Sequence, residues 1–291
     1  MPGMQKNPVP SKTAENSKSG DSKEFLKICV HGACGRMGRA ITRIIAETPL
    51  CALVSAIERP DHPFQKRDIG LLSGLEPNGV CVCSDLESGI RQADVVVDFS
   101  LPEAISPMLE KAAANNRPLV TGTTGIEPKA LDLMKEISMK IPVVAAPNMS
   151  VAMNVMFALT SQAGRILGDS YDVEIIEWHH RFKEDAPSGT AIRLGEEAAR
   201  SRGHDLQTVG RFARHGRIGR RDPDEIGIMS VRAGDIVGEH TVLFAGPEER
   251  LELSHRVSSR DNFARGALKA ALWVANKSPG LYDMQDVLGL K

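Results

Sequence analysis

Apolar residues follow two patterns along this chain, and the change comes near residue 150. In the first half, short uninterrupted apolar runs alternate with segments whose apolar positions recur every three or four residues. Leu26-Lys27-Ile28-Cys29-Val30-His31 is a β-prone run that breaks at Gly32-Ala33-Cys34-Gly35-Arg36-Met37-Gly38. Ile41, Ile44 and Ile45 then follow at helical spacing to about Thr48, where Pro49 ends the helix. Residues 50–57 read as a second strand that stops at Glu58-Arg59-Pro60. The alternation continues with a strand over 93–99, a helix over 102–115, a strand over 118–120, a helix over 128–138 and a strand over 142–146. Strands this uniformly apolar, separated by helices, predict a parallel sheet covered on both faces.

After Asn148-Met149-Ser150 the pattern changes. A helix over 151–167 leads to a strand over 172–178, then to a polar run, then to a helix from about Thr190 to Ser201. From Gly227 the chain alternates with period two, giving strands over 228–231, 240–244 and 250–257, with Leu251, Leu253, His255 and Val257 on one face. Asp261 is expected to cap a last helix carrying Leu268, Ala271, Leu272 and Ala275, which returns to the first domain. The predicted fold is therefore α/β: a Rossmann-like doubly wound parallel sheet, plus an α+β substrate and oligomerisation domain with a mostly antiparallel sheet. The expected boundaries are 1–24 for a disordered tail, 25–150 for a dinucleotide-binding domain, 151–259 for the second domain and 260–291 for the returning segment.

Composition narrows the function classes. With 291 residues, 42% hydrophobic and 25% charged, the chain has room for two ordinary cores. A formal charge of −1 gives no long-range field for nucleic acid or anionic membrane. No apolar run approaches the ~18 residues of a membrane span. The 5 cysteines form no C-x-x-C pair and read as thiols of a reducing cytosol. The first 24 residues lack an apolar h-region, so a secretory signal is not expected and the protein is expected to be cytoplasmic.

The candidate chemistry sits at strand ends. Gly32, Gly35 and Gly38, spaced G-x-x-G-x-x-G between a strand and a helix, remove the side chains that would keep a pyrophosphate from the helix N-terminus. Glu58 closes the second strand 26 residues beyond Gly32, where an acid accepts adenosine ribose hydroxyls, and Arg59 offers a cation for a 2′-phosphate. Gly122-Thr123-Thr124 and Ala146-Pro147-Asn148-Met149 emerge at the same carboxyl edge and are candidates for the nicotinamide half. In the second domain, Glu177-Trp178-His179-His180-Arg181-Phe182-Lys183-Glu184-Asp185-Ala186-Pro187-Ser188-Gly189-Thr190 combines two imidazoles, an amine and cap-type residues opening a helix. His179 can exchange a proton at neutral pH, Lys183 can donate one or pair with a carboxylate, and the N–H groups of Gly189 and Thr190 would face a ligand carboxylate. A zinc site is not expected in this domain, because His240 and His255 lie in strands and cysteine is absent from it.

On these residues, and on Arg232-Ala233-Gly234-Asp235-Ile236-Val237-Gly238-Glu239-His240, the chain from about residue 26 to its end resembles the 4-hydroxy-tetrahydrodipicolinate reductases, also called dihydrodipicolinate reductases. The resemblance implies a cytoplasmic homotetramer that reduces a small dicarboxylate with NADPH or NADH on the diaminopimelate route to lysine, without nucleic acid, membrane or metal. It implies that His179 is proton donor or acceptor and Lys183 proton donor, and that His180, Gly189 and Thr190 hold the substrate carboxylates. It also implies that Gly32, Ala33, Cys34, Gly35, Arg36, Met37, Glu58, Arg59, Gly122, Thr123, Thr124, Ala146, Pro147, Asn148 and Met149 line the nucleotide site. Cys34 departs from the Asn or Ala common at that position. Two other classes stay open on the residues alone: a two-domain dehydrogenase for a sugar or semialdehyde, and a non-catalytic NADPH sensor.

Overall fold

The computed structural model describes residues 25–291; the tail expected over residues 1–24 lies outside the described residues. The chain forms β1 (Leu26–His31), α1 (Arg36–Ala46), β2 (Cys51–Ile57), α2 (Ile69–Leu72), β3 (Val82–Cys83), α3 (Leu86–Arg91), β4 (Val95–Asp98), α4 (Ile105–Ala114), β5 (Leu119–Thr121), α5 (Pro128–Ser138) and β6 (Pro142–Ala145). It continues through α6 (Val151–Leu167), β7 (Asp172–His179), α7 (Gly189–Ser201), α8 (Leu206–Val209), β8 (Gly210–Arg211), β9 (Ile226–Arg232), β10 (Glu239–Ala245), β11 (Arg250–Arg256), α9 (Asp261–Val274), β12 (Gly280–Tyr282) and α10 (Met284–Leu288).

Seven strands make one parallel sheet in the order β12-β6-β5-β4-β1-β2-β3. The chain builds outward from β1 through β2 and β3, then restarts at β4 on the other side of β1. The carboxyl ends of β1 and β4 therefore flank the point where the winding reverses, which is where open α/β sheets bind ligands. Period-two alternation sends Ile28, Val30, Val95 and Val97 into a core shared with α1 and α9, and Cys29 and Val96 into a second core under α4 and α5. Each fully buried Val or Ile contributes about 1.5–3 kcal/mol, so both faces anchor the strand ends that carry the cleft.

The second sheet has the order β11-β10-β7-β9-β8. Its pairings are antiparallel for β11-β10 and β10-β7 but parallel for β7-β9 and β9-β8. The parallel step arises because α7 crosses over between β7 and β9, as in any βαβ unit. Helices α6 and α7 cover one face with Met153, Phe157, Leu194 and Ala198 against Val173, Ile175, Val242 and Phe244.

Helix α9 packs Ala264, Ala267, Leu268 and Ala271 into the core beside α1. Its cap differs from the expectation. Arg260 holds the N-cap position without a side-chain cap bond, while Asp261 occupies the first turn and accepts from Arg43 Nη2 at 2.9 Å. Lying one residue inside the helix start, Asp261 contributes an ion pair to α1 rather than a cap. Among the described residues, no helix is long and apolar enough to cross a membrane.

Candidate active site

The glycine turn folds against β4. Gly32 has φ +73°, and a Cβ on it would lie 2.6 Å from the Phe99 carbonyl oxygen; one on Gly38 would lie 2.3 Å from the Gly32 oxygen. No side chain fits at either place, so the backbone approach the sequence anticipated is built in. Gly35 supplies the N-cap of α1 with no side-chain cap bond, leaving the amino end of that helix to a ligand. Glu58 accepts the Cys34 N–H at 3.1 Å and the Arg59 N–H at 3.1 Å, which fixes its carboxylate beside the turn. Gly32, Cys34, Gly35, Glu58 and Arg59 line one cleft of about 700 Å³. Burial, with the Glu58 carboxylate alongside, pushes the Cys34 thiol up to about 11.

Asp98, at the end of β4, ties the loops around this cleft together. It is fully buried and accepts from His31 Nδ1 at 2.7 Å, Ser100 Oγ at 2.7 Å, and Thr121 Oγ1 and Thr123 Oγ1 at 2.8 Å each. Burial opposes its ionisation, but the bonds from His31, Ser100 and Thr123 outweigh that and hold its carboxyl below the usual range. Sequence reasoning passed over Asp98, His31 and Ser100. An acid ending an otherwise apolar central strand, one residue before a turn, was the available signal.

A second cleft, about 730 Å³, lies between the two sheets. Thr124, Ala146, Pro147 and Asn148 enter it from the carboxyl edge of the parallel sheet, and His179, Lys183, Gly189 and Thr190 enter it from the other side. Asn148 Nδ2 donates to Thr190 Oγ1 at 3.1 Å across the junction. Ser188 caps α7, its hydroxyl accepting the Ala191 N–H at 3.2 Å, and the preceding N–H groups of Gly189 and Thr190 have no protein partner among the described residues. Not every expected residue reaches a cleft. Ala33 and Met149 are buried, Thr123 spends its hydroxyl on Asp98, and Arg36, Met37, Gly122 and His180 line neither cavity. His180 Nδ1 is buried and has no hydrogen-bond partner among the described residues.

The hub of the second cleft is Glu177, which is fully buried. Arg232 grips it with two bonds of 2.9 Å, the Ser188 N–H donates at 3.2 Å, and His179 Nδ1 bonds its other oxygen. Strand pairing creates this meeting: Glu177 lies opposite His240 on β10 and Ser230 on β9, and His179 lies opposite Arg232. Burial would raise the Glu177 pKa, but bonds from His179, Arg232 and Ser230 lower it to about 2. An ionised Glu177 fixes the proton of His179 on Nδ1 and leaves Nε2 to act. Gly238 clears that nitrogen, since a Cβ there would stand 3.1 Å from it. His240 meets the His179 ring edge-on at 5.3 Å and bonds Ser188 Oγ at 3.2 Å. Burial, then the neighbouring His179, lower its pKa to about 3, so it stays neutral. Lys183 reaches Asp185 at 2.7 and 2.8 Å.

A glycine turn at the switch point of a parallel sheet, facing a lobe that carries an oriented imidazole, a lysine and a free helix N-terminus, defines a two-domain nucleotide-dependent oxidoreductase. The fold is shared with a probable dehydrogenase from Thermotoga maritima, at TM-score 0.59 and 13% identity over 91% of this chain and 93% of that one. Sequence profiles described as the dihydrodipicolinate reductase N-terminus and C-terminus match residues 26–149 and 152–288. The chain belongs to the dihydrodipicolinate reductase family. It is 51% identical to 4-hydroxy-tetrahydrodipicolinate reductase of Anaeromyxobacter dehalogenans, over 92% of this chain and 99% of that one. The protein of the same name from Syntrophotalea carbinolica is 48% identical over 92% and 100%. Dipicolinate-bound dihydrodipicolinate reductase from Paenisporosarcina sp. TG-14 superposes with TM-score 0.72 and 25% identity, over 90% and 98%.

Proposed function

We propose that this protein reduces 4-hydroxy-tetrahydrodipicolinate, by way of dihydrodipicolinate, to tetrahydrodipicolinate with NADPH or NADH, in lysine biosynthesis through the diaminopimelate pathway. The observation that carries the reading is the convergence, in one cleft, of Lys183, the oriented His179 and the free N–H groups of Gly189 and Thr190. Membership of the family supports the same conclusion.

The residues of the first cleft fit a dinucleotide, because the glycine cradle has no room for side chains and Glu58 stands beside it. Gly32 to Met37 with Glu58 and Arg59 would hold the adenosine and pyrophosphate, and Gly122 to Thr124 with Ala146 to Met149 the nicotinamide half. Bound there, the reduced nucleotide supplies hydride. The chain's own residues do the rest. Gly189 and Thr190 receive one substrate carboxylate on the amino end of α7, and His180 joins them once the cleft closes. Lys183, the proton donor, leaves Asp185 for the second carboxylate and the ring nitrogen, where its charge favours the electron density that reduction places there. His179, with Nδ1 committed to Glu177, moves protons at Nε2, both in the loss of water and in protonation of the reduced ring.

The open face of the second sheet, with Ile176, Trp178 and Leu243 only partly covered, supports assembly into a homotetramer. We place the enzyme in the cytoplasm, with no nucleic-acid or membrane partner. The deciding assay generates the substrate from pyruvate and aspartate semialdehyde with the preceding synthase and follows NADPH and NADH oxidation separately. Oxidation dependent on this protein is expected; failure with both nucleotides would overturn the reading.

A further inference from the structure

The nucleotide cleft holds an arrangement that hydride transfer does not use. Cys34 in the glycine turn, Glu58 at the end of β2 and His62 in the turn beyond it bring a thiol sulfur, a carboxylate oxygen and an imidazole nitrogen within 4.8 Å of one another. All three line the same cleft of about 700 Å³. Two of the groups are already oriented. The Glu58 oxygens accept the N–H groups of Cys34 and Arg59 at 3.1 Å each, and each oxygen keeps a further lone pair. His62 Nδ1 accepts the Phe64 N–H at 3.3 Å and its ring rests on Phe64 at 5.3 Å, which leaves Nε2 without a protein partner among the described residues.

Sulfur, imidazole and a single carboxylate are a donor set for zinc-class ions; magnesium and calcium take oxygen shells instead. Three protein donors beside an open cleft leave a fourth position for water. Zinc bonds of about 2.0–2.3 Å require the donors to draw together by about an ångström. Glu58 and His62, both partly buried, would make that shift from positions held by backbone N–H bonds of 3.1 and 3.3 Å.

We propose that Cys34, Glu58 and His62 form a binding site for a soft divalent cation of the zinc class inside the nucleotide cleft. As the metal–sulfur bond forms, the thiol proton passes to solvent. Under the nucleotide reading given above, Glu58 serves either the ribose hydroxyls or the cation, so the two ligands exclude each other. The site would make the reductase sensitive to free zinc or cadmium when reduced nucleotide is scarce.

The test titrates nucleotide-free protein with Co²⁺, reading thiolate-to-metal absorption, and then displaces it with Zn²⁺. One equivalent is expected to produce the band. The band should be absent in Cys34→Ala, and His62→Gln should weaken binding by more than about 10-fold, since losing even an outer partner costs about that much. Absence of the band, or its persistence in Cys34→Ala on the exposed Cys81, would overturn the site. Should Cys34→Ala fail to fold, His62→Gln decides alone, and undiminished affinity in it refutes the proposal. Saturating NADPH is expected to abolish the band, and Zn²⁺ to raise the KM for NADPH at constant kcat. A band that depends on Cys34 and survives NADPH leaves the cation site standing and removes the nucleotide reading of the cleft.

Discussion

Replacing Glu177 by Gln tests whether a buried charge organises the proton-transfer site. The side chain keeps its shape, but an amide cannot accept from both Arg232 nitrogens and from His179 while also receiving the Ser188 N–H. The Arg232 guanidinium, mostly buried, loses its counter-charge. A fall of the Glu177 pKa from 4.5 to about 2, at 1.36 kcal/mol per unit, makes its ionised form worth about 3 kcal/mol to the folded state. That agrees with the ~3–5 kcal/mol lost when one partner of a buried pair is removed. Because the folded-state value is depressed, this stabilisation is complete above about 4.5 and is lost as pH falls through about 2. Urea unfolding of both proteins at several pH values should show a gap of about 3 kcal/mol at pH 7 that narrows below about pH 4. In the coupled assay, kcat should fall by about 10²–10⁴, because His179 loses the bond that fixes its tautomer. A Glu177→Gln enzyme with near-normal kcat, or a stability gap unchanged from neutral pH down to pH 3, would refute the hub.

Lys183→Ala and His179→Ala should each lower kcat by about 10²–10⁴ while NADPH binding, followed by its fluorescence, persists; near-normal turnover in both would remove them from the mechanism. Asp185→Asn should tighten binding of a dicarboxylate inhibitor several-fold by releasing Lys183, whose nitrogen it holds at 2.7 and 2.8 Å, and calorimetry showing weaker binding would contradict this. Asp98→Asn should cost about 1–3 kcal/mol of stability and weaken nucleotide binding, because four donors converge on that carboxylate; unchanged melting and NADPH affinity would show the network to be dispensable.

The parallel sheet was legible because each of its central strands announces itself locally. Val95-Val96-Val97 needs no distant partner to read as buried, and Gly32-to-Gly38 carries its own steric requirement. The edge strand β12 was not legible: Gly280, Leu281 and Tyr282 form too short a run to show a period, and only pairing with β6 makes them a strand. The same limit hid the parallel β7-β9 step. Strand alternation after Gly227 reads as a meander, since a sequence does not say which earlier strand will receive the next one. Within the site, the residues proposed to touch ligand stood out by type, whereas those that aim them did not. Glu177 and His179, two apart on a strand, share a face, and that spacing was a usable signal. Arg232, 55 residues further on, meets them only through the register of β9 on β7.

That division follows from how the cleft balances charge. Glu177 with Arg232, and Asp185 with Lys183, are internally neutralised pairs, and His240 is held neutral by burial and by the nearby His179. With these groups balanced, the proposed anion affinity of the cleft resides in the N–H groups of Gly189 and Thr190 and in Lys183 once it is released. The two pairs differ in the way that matters. Glu177 is fully buried and Arg232 grips it with two bonds, so that pair stays together. Asp185 keeps 63% of its side-chain surface in water, so under the proposed function a substrate carboxylate would displace it at small cost in solvation. Under the proposed function, one fixed pair to orient the imidazole and one labile pair to free the ammonium would give a site that releases its cation only as a dianionic ligand enters.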